Sequence, residues 1–316
     1  MKNAILFLVF NRPHTTSKVF EKICQAKPPR LYVAGDGPRK NYSGEEEKVN
    51  QVHDISTRID WPCELKTLFR DKNLGCKKSV SEAISWFFEH EEQGIILEDD
   101  CVPHLDFFTF CENLLDRYSK EYKVTTITGS NFQSNKRRGD ASYYFSKYNH
   151  CWGWASWRRS WKNYDGEIKF WPRLKDSKDW QDLITDNVER RYWNKIFDLV
   201  YAGKIDSWAY PWLVSTWYKN GLTATPNVNL ISNIGFGEDA THTKNKNDKN
   251  SNIKTSKLST LKHPKVIQEN EEADKWTFNY HFDGKNLRVP YIFFFIPIRF
   301  LKYIYKKLKV IKKNYL

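Results

Sequence analysis

Methionine is nearly absent: 316 residues hold one Met against 13 Trp, 17 Tyr and 20 Phe. Glycine (14) and proline (12) are also sparse, which excludes collagen-like and Pro/Gly-rich low-complexity chains. The six cysteines, at 24, 63, 76, 101, 111 and 151, include no CxxC pair. That gives neither the usual zinc spacings nor a disulfide framework, and it fits a reducing cytosol. Long hydrophobic runs are missing too. The uncharged stretch Val289 to Ile298 is about ten residues, against the roughly 20 needed to span a bilayer, and Pro297 interrupts it. At the other end, Ala4 to Phe10 is short for a signal h-region, lacks a small-residue cleavage site and stops at Asn11-Arg12-Pro13. It reads as a first strand.

What is present is a core and a positive charge. Forty per cent hydrophobic and 16% aromatic residues exclude global disorder and supply Trp and Tyr faces suited to sugar rings or to packing. The net charge of +13 points to an anionic partner. Much of the excess is local: "RFLKYIYKKLKVIKKNYL", 299 to 316, carries one Arg and six Lys with no acid. A basic excess concentrated in a tail and a loop, with no folded basic face evident, argues against a nucleic-acid binder.

Residues 4 to 10 and 30 to 34 have the composition of buried strands, and "TTSKVFEKICQA" between them has helical spacing with a Thr cap. "CELKTLFRD" is expected as a third strand, "VSEAISWFFEHE" as a helix and "GIILEDD" as the next strand. This alternation predicts an α/β, Rossmann-like fold: a mostly parallel sheet with helices on both faces. Ligands then sit beyond the strands' carboxyl ends, where "FNRP", "GDG" and "EDD" fall. We expect a catalytic domain over 1–237, with a nucleotide-binding half (1–135) and a donor-sugar and acceptor half (136–237). A flexible basic loop (238–262), a packing segment (263–288) and an aromatic, basic tail (289–316) follow.

The strand ending in Glu98, Asp99 and Asp100 raises the central question, because three adjacent carboxylates repel and are costly to desolvate. They are either an N-cap for the helical "PHLDFFTFCENLL" or a divalent-cation site. Mg²⁺ and Mn²⁺ take oxygen ligands, often one or two carboxylates with phosphate oxygens. Such an ion stabilises a departing nucleoside diphosphate.

Seven pieces in order, "FNRP", "GDG", "RDKNLGC", "ILEDDCVPHLDFF", "TGSN", "WGWASWRRSW" and "NLISNIGFGEDATHT", resemble the GT-A glycosyltransferases. The nearest likeness is to a bacterial group similar to N-acetylglucosaminyltransferase I. The resemblance implies that Arg12 contacts the nucleotide diphosphate and that Asp36 accepts from the base, which suits uracil. It implies Asp100 as the metal ligand, Asp99 at the ribose and Glu98 at a donor-sugar hydroxyl. Arg70, Asn73 and Gly75 would lie near the diphosphate, and Trp152-Gly153-Trp154 would close over the donor sugar. Trp157 and Trp161 read instead as a helix start docked on the sheet. His242 is a candidate for the metal shell or the diphosphate, since neutral imidazole is a usable ligand. Lys244, Lys246 and Lys249 behind it either close over phosphate or form a solvated loop.

An inverting transfer needs a general base for the acceptor hydroxyl. The resembled group is expected to carry it in a segment like Asp-x-Trp-Asp-Tyr-Gln-Trp. Here the segment is "DSWAYPW", with Ala209 where the second Asp is expected. Either a base has been replaced, or Asp206, Asp179 or Asp182 does the work, Asp206 being favoured. The tail alternates Phe300, Leu301, Ile304, Leu308 and Ile311 with lysines at helical spacing. It is expected as an amphipathic helix on an anionic membrane surface, the alternative being a helix packed on the domain.

These features predict a cytoplasmic enzyme, peripheral on the inner membrane face, that uses Mn²⁺ or Mg²⁺. It would move a sugar from a nucleotide-sugar donor, UDP-sugar favoured, to a surface glycan or lipid-linked acceptor. A sugar-nucleotide pyrophosphorylase is the enzymatic alternative, but "FNRPHTTSK" lacks the expected glycines. A non-catalytic glycan-binding, membrane-peripheral protein is the alternative from another class.

Overall fold

The computed structural model describes residues 1–237, 245 and 247–288. The first half runs β1 (Ala4–Val9), α1 (Pro13–Ala26), β2 (Arg30–Gly35), α2 (Glu45–Ser56), β3 (Glu64–Phe69), α3 (Cys76–His90) and β4 (Gln93–Glu98). After β5 (Cys101–Pro103), α4 (Leu105–Arg117) and β6 (Val124–Thr128) come β7 (Tyr143–Ser146), β8 (Trp154–Trp157) and α5 (Arg158–Trp161). Helices α6 (Trp171–Lys175), α7 (Lys178–Leu183), α8 (Asn187–Tyr201) and α9 (Ala209–Tyr218) precede β9 (Leu222–Pro226) and β10 (Ile231–Asn233). Finally α10 (Glu271–Trp276) leads into a π turn (Thr277–His281) and a 3-10 turn (Gly284–Leu287).

Eight strands form one sheet in the order β3-β2-β1-β4-β8-β6-β9-β7. The first four are mutually parallel, β8 is antiparallel to both neighbours, and β9 is parallel to β6 and antiparallel to β7. The α/β expectation holds. β1 shows why: every residue is buried, and the period of two divides its side chains between two cores. Ile5, Phe7 and Val9 meet α1, α2 and α4, whereas Ala4, Leu6 and Leu8 meet α3 and a tryptophan group, Trp154, Trp161, Trp208 and Trp212. A third core, with Trp171, Trp180, Trp193 and Trp217, joins α6 through α9.

Several local expectations change. Helix α1 begins at Pro13 with Arg12 in the cap position, and Thr15 and Thr16 donate back to the Arg12 carbonyl. The aromatic helical stretch splits into α7 and α8, because the Asp186 carboxylate accepts from Val188 and Glu189 and starts a new helix. The expected 238–262 loop is, in its described part, anchored. Asn252 N donates to Asn233 O (3.0 Å), Leu258 N to Asp106 (2.7 Å) and Lys262 N to Ser142 Oγ (2.8 Å). Residues 263–288 pack on the sheet edge: Asn270 N donates to Phe145 O at 2.8 Å. The tail 289–316 lies outside the described residues. Among those described, no helix is long and apolar enough to cross a membrane.

His150 and His281 lie 5.1 Å apart beside Phe132. Burial, with Lys249 adding, pushes His281 down to about 3. Burial and then His281 hold His150 well below the usual range. Both are neutral when folded, yet take up protons near pH 6.5 when unfolded. Stability should therefore fall with pH from about 6.5 downward. His281→Gln should remove about one proton from that slope. Urea unfolding across this range measures it, and an unchanged slope would mean that His281 protonates in the folded state.

Candidate active site

Sheet direction decides what shares a rim. The carboxyl ends of β1 to β4, β6 and β9 point one way, and antiparallel β8 starts at that same rim. Arg12, the Asp36 turn, Arg70, the acidic triplet, Ser130 and Trp152-Gly153 therefore converge there.

Glu98 is the last residue of β4, and Asp99 and Asp100 form the turn into β5. The cap of α4 is His104, whose Nδ1 accepts from Asp106 N at 3.2 Å, so the triplet is not an N-cap. Arg12 pairs with both aspartates, donating to Asp99 and lying 2.9 Å from Asp100 Oδ2. Phe10 N also donates to Asp99, at 3.3 Å. One guanidinium faces three carboxylates. Burial, then Asp100 and Asp99, push Glu98 upward against Arg12. Burial also raises Asp99, with Arg12 opposing and Asp100 adding.

This corner has the hard-oxygen chemistry a divalent cation takes. Among the described residues no three His, Cys, Asp or Glu side chains form a metal shell. The fit is to a cation held by one or two carboxylates and completed by phosphate and water. Asp100 is the residue expected to ligate it. His242 lies outside the described residues.

Gly235 is a contributor that sequence reasoning missed. A Cβ there would come 1.9 Å from Asp100 Oδ2 and 2.7 Å from Arg12 Nη1. Its only sequence signal is its place in "NLISNIGFGEDATHT". We expect Gly235→Ala to displace the Asp100 carboxylate and weaken Mn²⁺-dependent nucleotide binding by about 10–100-fold, as loss of ligand support does. Calorimetry reads this directly; unchanged affinity would mean that Asp100 has room to move without cost.

Asp36 sits in the turn directly after β2. Its oxygens accept from Gly37 N (3.0 Å), Leu74 N (2.9 Å) and Gly75 N (3.1 Å). Asn73 Nδ2 donates to Gly37 O at 2.9 Å, and Arg70 pairs with Glu82 of α3 at 2.7 Å. These residues clamp the turns after β2 and β3 to one another and to the start of α3. These backbone donors give the Asp36 carboxylate a loop-positioning role in addition to the base contact expected of it. Gly75, at φ +82°, makes the bend into α3. A second clamp, unforeseen, joins buried Glu45 to Asn11 and Arg39.

Trp152 and Gly153 stand at the rim. Trp152 is partly exposed and 5.6 Å from the Phe236 ring, edge to face. Gly153 has φ +59°, and a Cβ would meet Ile231 at 2.3 Å. Trp154 is corrected from loop to core: it is fully buried in β8 against Trp161, Trp208 and Trp212. Trp157 and Trp161 do dock on the sheet, on opposite faces.

Asp206 is exposed, with its Oδ2 3.7 Å from the Cβ position of Gly75. That places it over the start of α3. Ala209 opens α9 and packs, partly buried, on the Trp208 and Trp212 group. Asp179 and Asp182 sit on α7, where Asp182 pairs with Lys178 at 3.1 Å; no contact joins them to the triplet. Cys76, the first residue of α3, was not anticipated. Burial, then Glu98 and Asp206, push its thiol up to about 12.

No family model and no curated protein matches the chain. Among solved structures it is similar to HddC from Yersinia pseudotuberculosis, at 11% identity over 54% of this chain and 86% of that one, TM-score 0.32. It is also similar to an apo UDP-glucose pyrophosphorylase (8%, 72% and 90%, 0.35). A third is 4-diphosphocytidyl-2C-methyl-D-erythritol synthase from Anaerococcus prevotii (10%, 62% and 83%, 0.32). Likenesses at this level assign no activity to this chain.

Proposed function

We propose that this protein is a metal-dependent, inverting glycosyltransferase that takes a nucleotide-sugar donor, UDP-sugar favoured, and a glycan or lipid-linked acceptor. The observation that supports this is the convergence of Arg12 and three under-neutralised carboxylates with the strand-end turns on one rim. Asp100 would hold Mn²⁺ or Mg²⁺, which supplies charge stabilisation for the leaving diphosphate. Arg12, already shared between Asp99 and Asp100, turns part of its donor fork to phosphate. Glu98 faces the donor sugar, with Trp152 and Gly153 along its other side. Asp206, exposed above the start of α3, accepts the acceptor hydroxyl proton. The Asp36 clamp shapes the base-binding wall.

Titration calorimetry with UDP, GDP and CMP, each with and without Mn²⁺, tests the reading. UDP binding that requires the metal is expected. Hydrolysis or transfer from a UDP-sugar, set against UTP formation when pyrophosphate is supplied, separates a transferase from a pyrophosphorylase. Absence of any nucleotide binding would leave the triplet without a ligand and return the protein to the glycan-binding alternative.

A further inference from the structure

On the outer side of the segment that covers the β7 edge, Trp276 and Tyr280 stack with ring centroids 3.9 Å apart. The Lys136 ammonium lies 3.9 Å from the Trp276 centroid, and the Lys285 ammonium 4.6 Å from that of Tyr280. Three separate stretches thus build one column: the loop before β7, α10 with its π turn, and the 3-10 turn. Arg138 adds a guanidinium 6.0 Å from Trp276. Tyr280 is 39% exposed, and both lysines are exposed. Of the acids nearby, Glu272 pairs with Arg138 of the column itself and Asp283 with Lys249, while exposed Glu271 joins no ion pair among the described residues. Lys136 and Lys285 rest on ring faces instead.

We infer that this column is a docking surface for an anionic lipid bilayer. The Tyr280 phenol, apolar in body and polar at the tip, suits the headgroup layer, backed by the Trp276 ring, whose N–H is buried. Lysines near an anionic surface each contribute attraction. Where the chain leads supports the same occupant. The described residues end at Arg288, beside Lys285, and 289–316 continues with Phe293, Phe294 and Phe295, then one Arg and six Lys without an acid. The patch also lies one loop from the cleft: Ser130 Oγ donates to Trp152 O at 2.9 Å, and Phe132 lies 5.4 Å from Trp152 in the loop that carries Lys136. A membrane held here lies beside the Trp152 side of the cleft. That use of the surface rests on the transferase reading, whereas the docking does not.

The test is sedimentation of the full chain with phosphatidylcholine vesicles, with and without phosphatidylglycerol. Binding should require phosphatidylglycerol and weaken with salt. Lys136→Glu/Lys285→Glu should lower partitioning by about tenfold or more, from roughly one kcal/mol per lysine. Lys18→Glu/Lys48→Glu, the same charge change on α1 and α2, should lower it far less. Independently, Lys136 and Lys285 of the unaltered protein should be protected from acylation by phosphatidylglycerol vesicles. Equal losses in the two charge-reversed proteins, no loss in the first, or no protection would each overturn the docking surface. UDP titration of the same proteins reports separately on the nucleotide site.

Discussion

Asp100→Asn should abolish the metal dependence of UDP binding and lower transfer by on the order of 10³-fold, because Lewis-acid stabilisation supplies several kcal/mol. The amide keeps the shape and removes the charge. It also removes one carboxylate from a corner where, among the described residues, Arg12 alone opposes three. The melting temperature should therefore hold or rise while activity is lost, since relief of like-charge repulsion favours the fold. Proton counting gives a second reading. Glu98 and Asp99 are held above the ordinary carboxylate range, by burial first, so cation uptake must displace protons, and affinity should rise with pH. Calorimetry in buffers of different ionisation enthalpy measures the release. Retention of metal-dependent binding in Asp100→Asn would detach the triplet from the metal and remove the main support for a transferase.

Glu189→Ala should destabilise the fold by about 3–5 kcal/mol, the usual cost of removing one partner of a buried ion pair. Lys147 Nζ lies 3.1 Å from Glu189 Oε1, and both side chains are under a tenth exposed. Tyr148 OH donates to Glu189 at 2.6 Å, and Trp193 Nε1 donates to the Tyr148 oxygen at 3.3 Å. Asp274, which burial holds well above the usual range, accepts from Lys147 N at 3.0 Å. This node ties β7, α8 and α10 together, so its loss releases the segment carrying Trp276 and Tyr280. Lys147→Met/Glu189→Leu should cost far less than the sum of the single changes, since no charge is stranded. Urea unfolding of the unaltered protein, Lys147→Met, Glu189→Leu and the double variant closes the cycle; additive losses would mean that the two charges do not stabilise one another.

Alternating strands and helices were legible because each is encoded locally, in the all-buried run of β1 and the helical spacing of α3. The acidic triplet, Arg12, Gly75 and Gly153 were legible as positions, because a strand's carboxyl end is where a parallel sheet exposes polar groups. The tertiary structure alone decided which of them are free to act. Asp36 looks like an available carboxylate until Leu74 and Gly75, far along the chain, occupy its oxygens. Trp154 reads as part of a loop until β8 inserts between β4 and β6 and buries it. Gly235 is marked in the sequence only by its place in "NLISNIGFGEDATHT"; its need arises from Asp100, more than a hundred residues earlier. Neighbouring residues determine backbone conformation and so declare themselves in sequence. A side chain's freedom to bind depends on hydrogen bonds and packing from distant segments, which only the assembled fold brings within reach.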